Sequence, residues 1–279
     1  MKCSTCGTYV PLSSRLCPGC SADAGFPNVK LAETIAEKEA LSKRLKQAET
    51  SSEARDCLAV LRDFGVAAGQ SKVVITRSLQ RVDDIVRSEN TLYVSFYKES
   101  QSGARLPEEN AWDKGRYAAD STVSPHYFQD LVDGALSIDG KGVPAFGPYS
   151  IVLREPMIER RATVFEENPF TFCKRHRIAA GQETPAGYRA IWEERQLLAM
   201  AKLHSELTSA TTRAQYPGIV LKATPKGNED FIEVHIYGPI HRAAIERVIG
   251  PRPNGGPQLV IWRSVESKLK SLGARMEVG

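Results

Sequence analysis

The chain has 279 residues, 42% of them hydrophobic and 25% charged, with a formal net charge of +4. That is enough for one sizeable domain plus an appendage, in the composition of a globular protein rather than a disordered or collagen-like one. No apolar run approaches the roughly 20 residues a bilayer crossing needs, and MKCSTCGTYVP lacks the apolar segment of a secretory signal. A soluble cytoplasmic protein with no membrane partner is expected.

Cys3, Cys6, Cys17 and Cys20 form C-x2-C, ten residues, then C-P-G-C. Thiolates two residues apart make a knuckle whose backbone amides point back at the sulfurs, and two knuckles complete a tetrahedral zinc site. The other reading, a pair of disulfides, conflicts with the missing export signal. Four protein ligands leave no open coordination position, so the Zn(2+) is expected to be structural. The segment CSTCGTYVPLSSRLCPGC resembles the short bacterial zinc ribbon, including Gly7 after the first knuckle. Such ribbons bind either nucleic acids or proteins. Residues 1–27 are assigned to it.

Residues 28–70 read as a helical connector. From Asn28, a candidate cap, to about Phe64 there is no proline, and Leu31, Ile35, Leu41, Leu45 and Ala48 make a narrow apolar stripe. A break is expected at Ser51–Ser52. The connector should pack on a partner or on the main domain.

The main domain, 71–279, opens with a strand at Lys72–Thr76, with Arg77 at its end, and a helix at Ser78–Arg87. Leu92–Tyr97 reads as a strand, Gln101–Tyr117 as a long loop and Tyr127–Leu136 as a short amphipathic helix. The glycines and prolines of 139–148 read as a turn leading into strands at Tyr149–Arg154 and Ala162–Phe165. A helix is expected within Pro185–Thr208. Further on, His241–Ile249 reads as a helix, Gln258–Trp262 as a strand, and Ser264–Ser271 as a Ser-capped terminal helix. Strands and helices intermix without strict βαβ alternation, which favours α+β.

One stretch stands apart. Gly218–Ala223 and Asp230–Tyr237 read as a hairpin closed by Pro225, Lys226, Gly227 and Asn228. The second strand alternates, with Ile232, Val234 and Ile236 on one face and Glu233, His235 and Tyr237 on the other. The polar face reads either as solvated surface or as a cleft wall with Glu233 as its working group.

Three fragments together resemble the ADP-ribosyltransferase fold of bacterial toxins: VVITRSLQRVDDIV, AFGPYSIVLREPMIERRATVF, and PGIVLKA with DFIEVHIYG. The resemblance implies a mixed, mainly antiparallel split sheet with NAD as substrate. It implies that Arg77 contacts a phosphate or ribose of NAD and that Glu233 holds the ribose. Ser150 stands where the family has its middle-strand serine, without the usual Ser-Thr-Ser triplet. Tyr93, Phe96 or Tyr97 would stack on nicotinamide, and His235 and Tyr237 would border the pocket. Glu233 is not paired with a second Glu, as in arginine-modifying members, which leaves a nucleic-acid base or another side chain as acceptor.

The basic residues suggest where such an acceptor would lie. From residue 240 to 279 there are seven Lys/Arg against three Glu, and Lys174–Arg175–His176–Arg177 forms a second knot. The ribbon and connector are candidate sites for a protein partner or antitoxin. Two other functions fit the same residues: a non-catalytic zinc-ribbon module binding nucleic acid or protein, and a hydrolase or nuclease using Glu233 and His235 as acid and base.

Overall fold

The computed structural model describes residues 1–103, 111–222 and 229–279, the side chains of 111–114 excepted. Twenty-six N-terminal residues lead into three helices, α1 (Pro27–Ala32), α2 (Ile35–Glu53) and α3 (Leu58–Gly69). Then follow β1 (Lys72–Arg77), α4 (Leu79–Val86), β2 (Leu92–Tyr93), α5 (Phe96–Gln101), α6 (Ala111–Val123), β3 (Leu131–Ser137), β4 (Tyr149–Leu153), β5 (Ala162–Phe165) and α7 (Pro169–His176). The last third holds β6 (Arg189–Ile191), α8 (Arg195–Leu203), α9 (Tyr216–Val220), β7 (Leu221–Lys222), β8 (Asp230–Phe231), β9 (Glu233–Tyr237), β10 (Ile240–His241), β11 (Ile245–Gly250), α10 (Gly256–Ser271) and β12 (Arg275–Val278).

Eight strands form one sheet in the order β12-β11-β4-β1-β3-β9-β5-β6. Every pairing in it is antiparallel except β11 with β12. The protein is therefore a mixed helix-and-sheet fold with a mainly antiparallel sheet. One face carries Val73, Ile75, Val132, Leu136, Ile151, Val234 and Ile236 into the main core, where residues of α2, α3, α4, α8 and α10 meet them. The opposite face is divided. A small apolar cluster around Val74, Ala135, Val152 and Phe231 fills one part. Val123 of α6 and Phe172 of α7 pack on Phe165 over another.

Residues 28–70 belong to the same core. Leu41, Leu61, Phe64 and Ala68 are buried in it, and Glu37 pairs with Arg189 at 2.9 Å. The N-cap of α2 is Thr34, which accepts from the Glu37 amide at 3.4 Å. Asn28 is not a cap. It is buried, and its amide donates to the carbonyls of Arg161 and His235 at 3.0 and 3.1 Å, tying α1 to the sheet. The helix break falls at 54–57, just after Ser51–Ser52.

Several expected elements change type, each for a local reason. The expected strand Gly218–Ala223 begins only at Leu221; before it, Thr212 and Gln215 make a capping box and Pro217 takes the first turn of α9. The turn residues Pro225 to Asn228 lie outside the described residues. Tyr127–Leu136 is a 3-10 turn followed by β3, because its apolar residues fill both faces of a central strand rather than one face of a helix. Gly134 confirms the crowding there, since a Cβ would come within 2.8 Å of Val73.

Leu92–Tyr97 ends as a strand at Tyr93; Ser95 accepts from the Lys98 amide at 3.3 Å and starts α5. The expected loop after Gln101 contains most of α6, with 104–110 outside the described residues. Within Pro185–Thr208 only Arg195–Leu203 is α-helix, and Arg189–Ile191 pairs with β5. His241–Ile249 is a 3-10 turn and then β11, whose Ile245 and Val248 are buried against β4. Gln258–Trp262 lies inside α10, which starts at Gly256 with Pro257 in its first turn, so Ser264 is mid-helix and caps nothing.

Phe64 is fully buried and meets Tyr216 edge-on at 5.2 Å. Phe64→Ala is expected to cost about 3–5 kcal/mol. In urea, the whole chain should unfold in one earlier transition, as the shared core requires.

Candidate functional site

In the N-terminal segment, the backbone pairs Lys2 with Tyr9 and Leu16 with Asp23, and each bridge closes one C-x2-C knuckle. Gly7 sits at φ 73°, the left-handed turn that follows the first knuckle. The Sγ atoms of Cys3 and Cys20 are 3.7 Å apart, those of Cys6 and Cys17 3.5 Å, and all four lie within 4.8 Å of one another. Tetrahedral zinc with Zn–S of about 2.3 Å sets S···S edges of about 3.8 Å, so the cluster fits that ion. The amides of Thr5 and Gly19 donate to Cys3 and Cys17 at 3.4 Å. Hydrogen bonding with Thr8, side chain first, holds the Cys6 thiol down at about 6, which favours the thiolate a metal needs. Lys30 of α1 holds the ribbon by its carbonyls, donating to Ser14 at 2.5 Å and Pro11 at 3.3 Å.

The second site centres on β9. Ala135 of β3 pairs with Glu233, and Val74 of β1 pairs with Ala135. Directly paired residues share a face, so Val74, Ala135 and Glu233 point the same way, and Arg77, an odd number of residues from Val74, points the other way. The structure therefore does not bring Arg77 and Glu233 together. Arg77 donates to the Thr76 carbonyl at 2.7 Å and to the Tyr93 hydroxyl on the core side. Tyr93 is buried there with it. Ser150 does share the Glu233 face, two strands beyond β3, where its hydroxyl receives the Gly142 amide at 2.8 Å.

Glu233 and His235 are both only 4% exposed, so the polar face of β9 is neither solvated surface nor an open wall. The His235 Nε2 is 3.5 Å from Glu233 Oε1, and the His235 ring lies nearly parallel to Phe165 at 5.7 Å. Asn168 Nδ2 donates to Glu233 Oε2 at 3.2 Å. Asp133 pairs directly with His235 across the strands and accepts from Arg116 at 2.6 Å. Arg116 also reaches Asp120 at 3.3 Å, Tyr97 donates to Asp120 at 2.8 Å, and the Arg116 guanidinium lies 4.7 Å from the Phe96 ring. Phe96 and Tyr97 thus join the site through α6. Tyr237, half-buried, packs on Phe26 at 5.8 Å, beyond the network.

Burial and charge set the protons. Burial pushes the Asp120 carboxyl up to about 7, against the pull of Arg116. Burial likewise raises Glu233, opposed by His235 and Arg116. For His235 burial works against the imidazolium, but Glu233, Asp133 and Asp120 outweigh it and hold the ring above its ordinary range. The network can balance its charge as Arg116 with Asp133 and imidazolium with carboxylate, leaving Asp120 neutral. Asp133, Glu233 and His235 could offer ligating atoms within 4.8 Å of one another. Those atoms are already engaged with Arg116, with Asn168 and with each other, and we assign no metal to them. A cavity of about 10 Å³ beside Asp120, Asp133, Pro169 and His235 has room for one water.

Sequence reasoning missed Arg116, Asp120, Asp133 and Asn168. Arg116 and Asp120 were legible as an i,i+4 pair had 111–123 been read as helix. The Asn-Pro at 168–169, just after a strand, is a helix-start signal.

Half of the Lys and Arg residues in the two basic clusters are spent internally. Arg175 pairs with Glu166 and Glu167, each at 2.8 Å. Arg242, Arg247, Lys268 and Arg275 pair with Glu89, Glu246, Asp83 and Glu277. Lys174, Arg177, Arg252, Arg263 and Lys270 remain exposed, without an ion pair among the described residues, and Arg252 lies over the Trp262 ring at 5.1 Å. No helix among those residues is long and apolar enough to cross a membrane.

No family model matches the chain, and the search of characterised proteins finds no match. Among solved structures it is similar to DarT of Thermus sp. 2.9, in complex with ADP-ribosylated ssDNA, at 12% identity and a TM-score of 0.38, over 75% of this chain and 94% of that one. A likeness that distant leaves the assignment to this chain's own residues.

Metal analysis of the purified protein should give about one zinc per chain, and Cys17→Ser should lose it together with ordering of the ribbon. A chelator-treated protein with an unchanged ribbon spectrum would contradict the site.

Proposed function

We propose that the protein is an NAD-dependent ADP-ribosyltransferase with Glu233 as its central catalytic group. The observation that carries the reading is the placement of Glu233: a buried carboxylate, gripped on both oxygens, on β9 of a mainly antiparallel sheet. The segments resembling the toxin fold supply β1, β4 and β9 of that sheet. Cleaving the bond between nicotinamide and ribose builds positive charge on the sugar, as in glycoside cleavage. A fixed carboxylate in a dry site opposes that charge without reorganising.

In this reading Arg77 contacts no NAD, because it faces the other layer. Arg116 is the guanidinium that balances the carboxylates around Glu233, while Arg189, on the same face, is spent on Glu37. Phe96 and Tyr97 are the aromatic groups nearest to nicotinamide, and Tyr93, in the core, is not. Ser150 lies on the right face but is committed to Gly142. NAD does not fit a water-sized cavity, so binding must displace α6 or α7 from the sheet. The zinc ribbon is structural, and the acceptor is a nucleic acid approached through Lys174 and Arg177, at the end of the helix that covers the Glu233 side.

A second reading rests on the contact of Glu233 with His235 beside a cavity for one water: a hydrolase in which the pair activates that water. Cleavage of RNA or DNA without NAD would favour it.

Glu233→Gln keeps the shape and removes the charge. At equal folded concentration it should lower NAD turnover by about 10²–10³, read as nicotinamide release. Equal rates in the two proteins would overturn the assignment.

A further inference from the structure

The segment between β5 and α7 holds a side chain that no described role has absorbed. Asn168 is the N-cap of α7: its Oδ1 accepts from the Phe170 amide at 3.0 Å, with Pro169 in the first turn. That bond fixes which end of the amide faces where, so the end turned to β9 is the NH2 group. It donates to Glu233 Oε2 at 3.2 Å, while Oε1 faces His235 Nε2 at 3.5 Å. The two carboxylate oxygens therefore rest on two different elements.

The mounting of Asn168 is stiff. The residues before it, Glu166 and Glu167, are buried, and both are held by Arg175 from the same helix at 2.8 Å. Phe172 of α7 packs on Phe165 of β5 at 4.8 Å. Moving α7 thus moves the amide that holds Glu233.

We infer that Asn168 is a positioning residue for Glu233: one amide caps α7 with its oxygen and orients the catalytic carboxylate with its nitrogen. The inference rests on the transferase reading for its catalytic consequence, but not for the geometry. Without the amide, Glu233 keeps His235 as its one direct partner among the described residues. The other charged groups facing it are Asp133 on β3, and Arg116 and Asp120 on α6. Asp133 opposes ionisation, Arg116 favours it, and Asp120 opposes it once charged. A donor lost from one oxygen is not replaced by any of them, and the carboxylate becomes free to rotate.

The two functions separate by mutation, because Ser and Asp cap a helix about as well as Asn but offer Glu233 no amide donor. Asn168→Ser is also too short to reach across, and Asn168→Asp sets a second carboxylate against the first. In the full chain, three readouts are compared with wild type: thermal unfolding, NAD cleavage across pH, and titration of the Glu233 carboxyl by 13C-glutamate NMR, assigned with Glu233→Gln. Asn168→Ser should keep α7 capped and melt somewhat below wild type, because Glu233 loses a buried donor, and Asn168→Asp should melt lower again. Asn168→Ser should lower kcat about ten-fold with KM for NAD little changed. The acid limb and the Glu233 titration should both move up by about one pH unit, and further in Asn168→Asp.

A wild-type kcat and titration in Asn168→Ser would overturn the inference. So would a loss of kcat accompanied by lost stability but no shift in titration, which is what a cap alone would give. If the wild-type protein cleaves no NAD, the transferase reading fails, and the carboxyl titration alone decides the role of Asn168.

Discussion

Strand β9 is hydrogen-bonded on both edges, to β3 and to β5, and the rest of the molecule is arranged around that double pairing. With neither edge free, its side chains can leave only through the two faces. Ile232, Val234 and Ile236 go to the main core and are fully buried. Each is worth about 1.5–3 kcal/mol of burial, so the register cannot slip by one residue without exposing all three. The same register fixes Glu233 and His235 on the other side. Apolar burial on one face thus secures the position of charged groups on the opposite face, where burying a charge is costly unless it is paired.

The polar layer resolves that cost by pairing rather than by solvation. Arg116 brings a permanent charge to Asp133, Asn168 and His235 hold Glu233, and Asp120 keeps its proton to about pH 7. Removing one partner of such a set leaves another buried group unsatisfied, so the layer behaves as a unit. The helices α6 and α7 carry the outer half of the network. Any opening that admits a dinucleotide must separate those donors from β9, and substrate groups must then replace them.

Much of this was written locally in the sequence. The alternation of DFIEVHIY gave β9 and its two faces, and the spacing of the four cysteines gave their cluster, because spacing alone determines both. What misled was tertiary context. In β3 the apolar pattern of LVDGALS suits a strand buried on both faces as well as a helix, and that hid Asp133. Reading 111–117 as loop hid Arg116, and with α6 went the cover over Glu233. The face that Arg77 takes was hidden for a simpler reason: counting residues along β1 requires its register against β3, which no single strand's pattern contains. Asn168 was visible as a helix start, but its second bond spans 65 residues of sequence.

The proposed activity requires NAD to reach the Glu233 side of the sheet, and the imidazole of His235 reports on that place directly. The chain has five histidines, of which His235 alone sits in this network. With ring-labelled histidine, NAD titrated into Glu233→Gln, whose slowed turnover is expected to preserve the bound state, should shift the His235 resonances and leave those of His204 and His241 in place. Saturating NAD with no change at His235 would contradict the account.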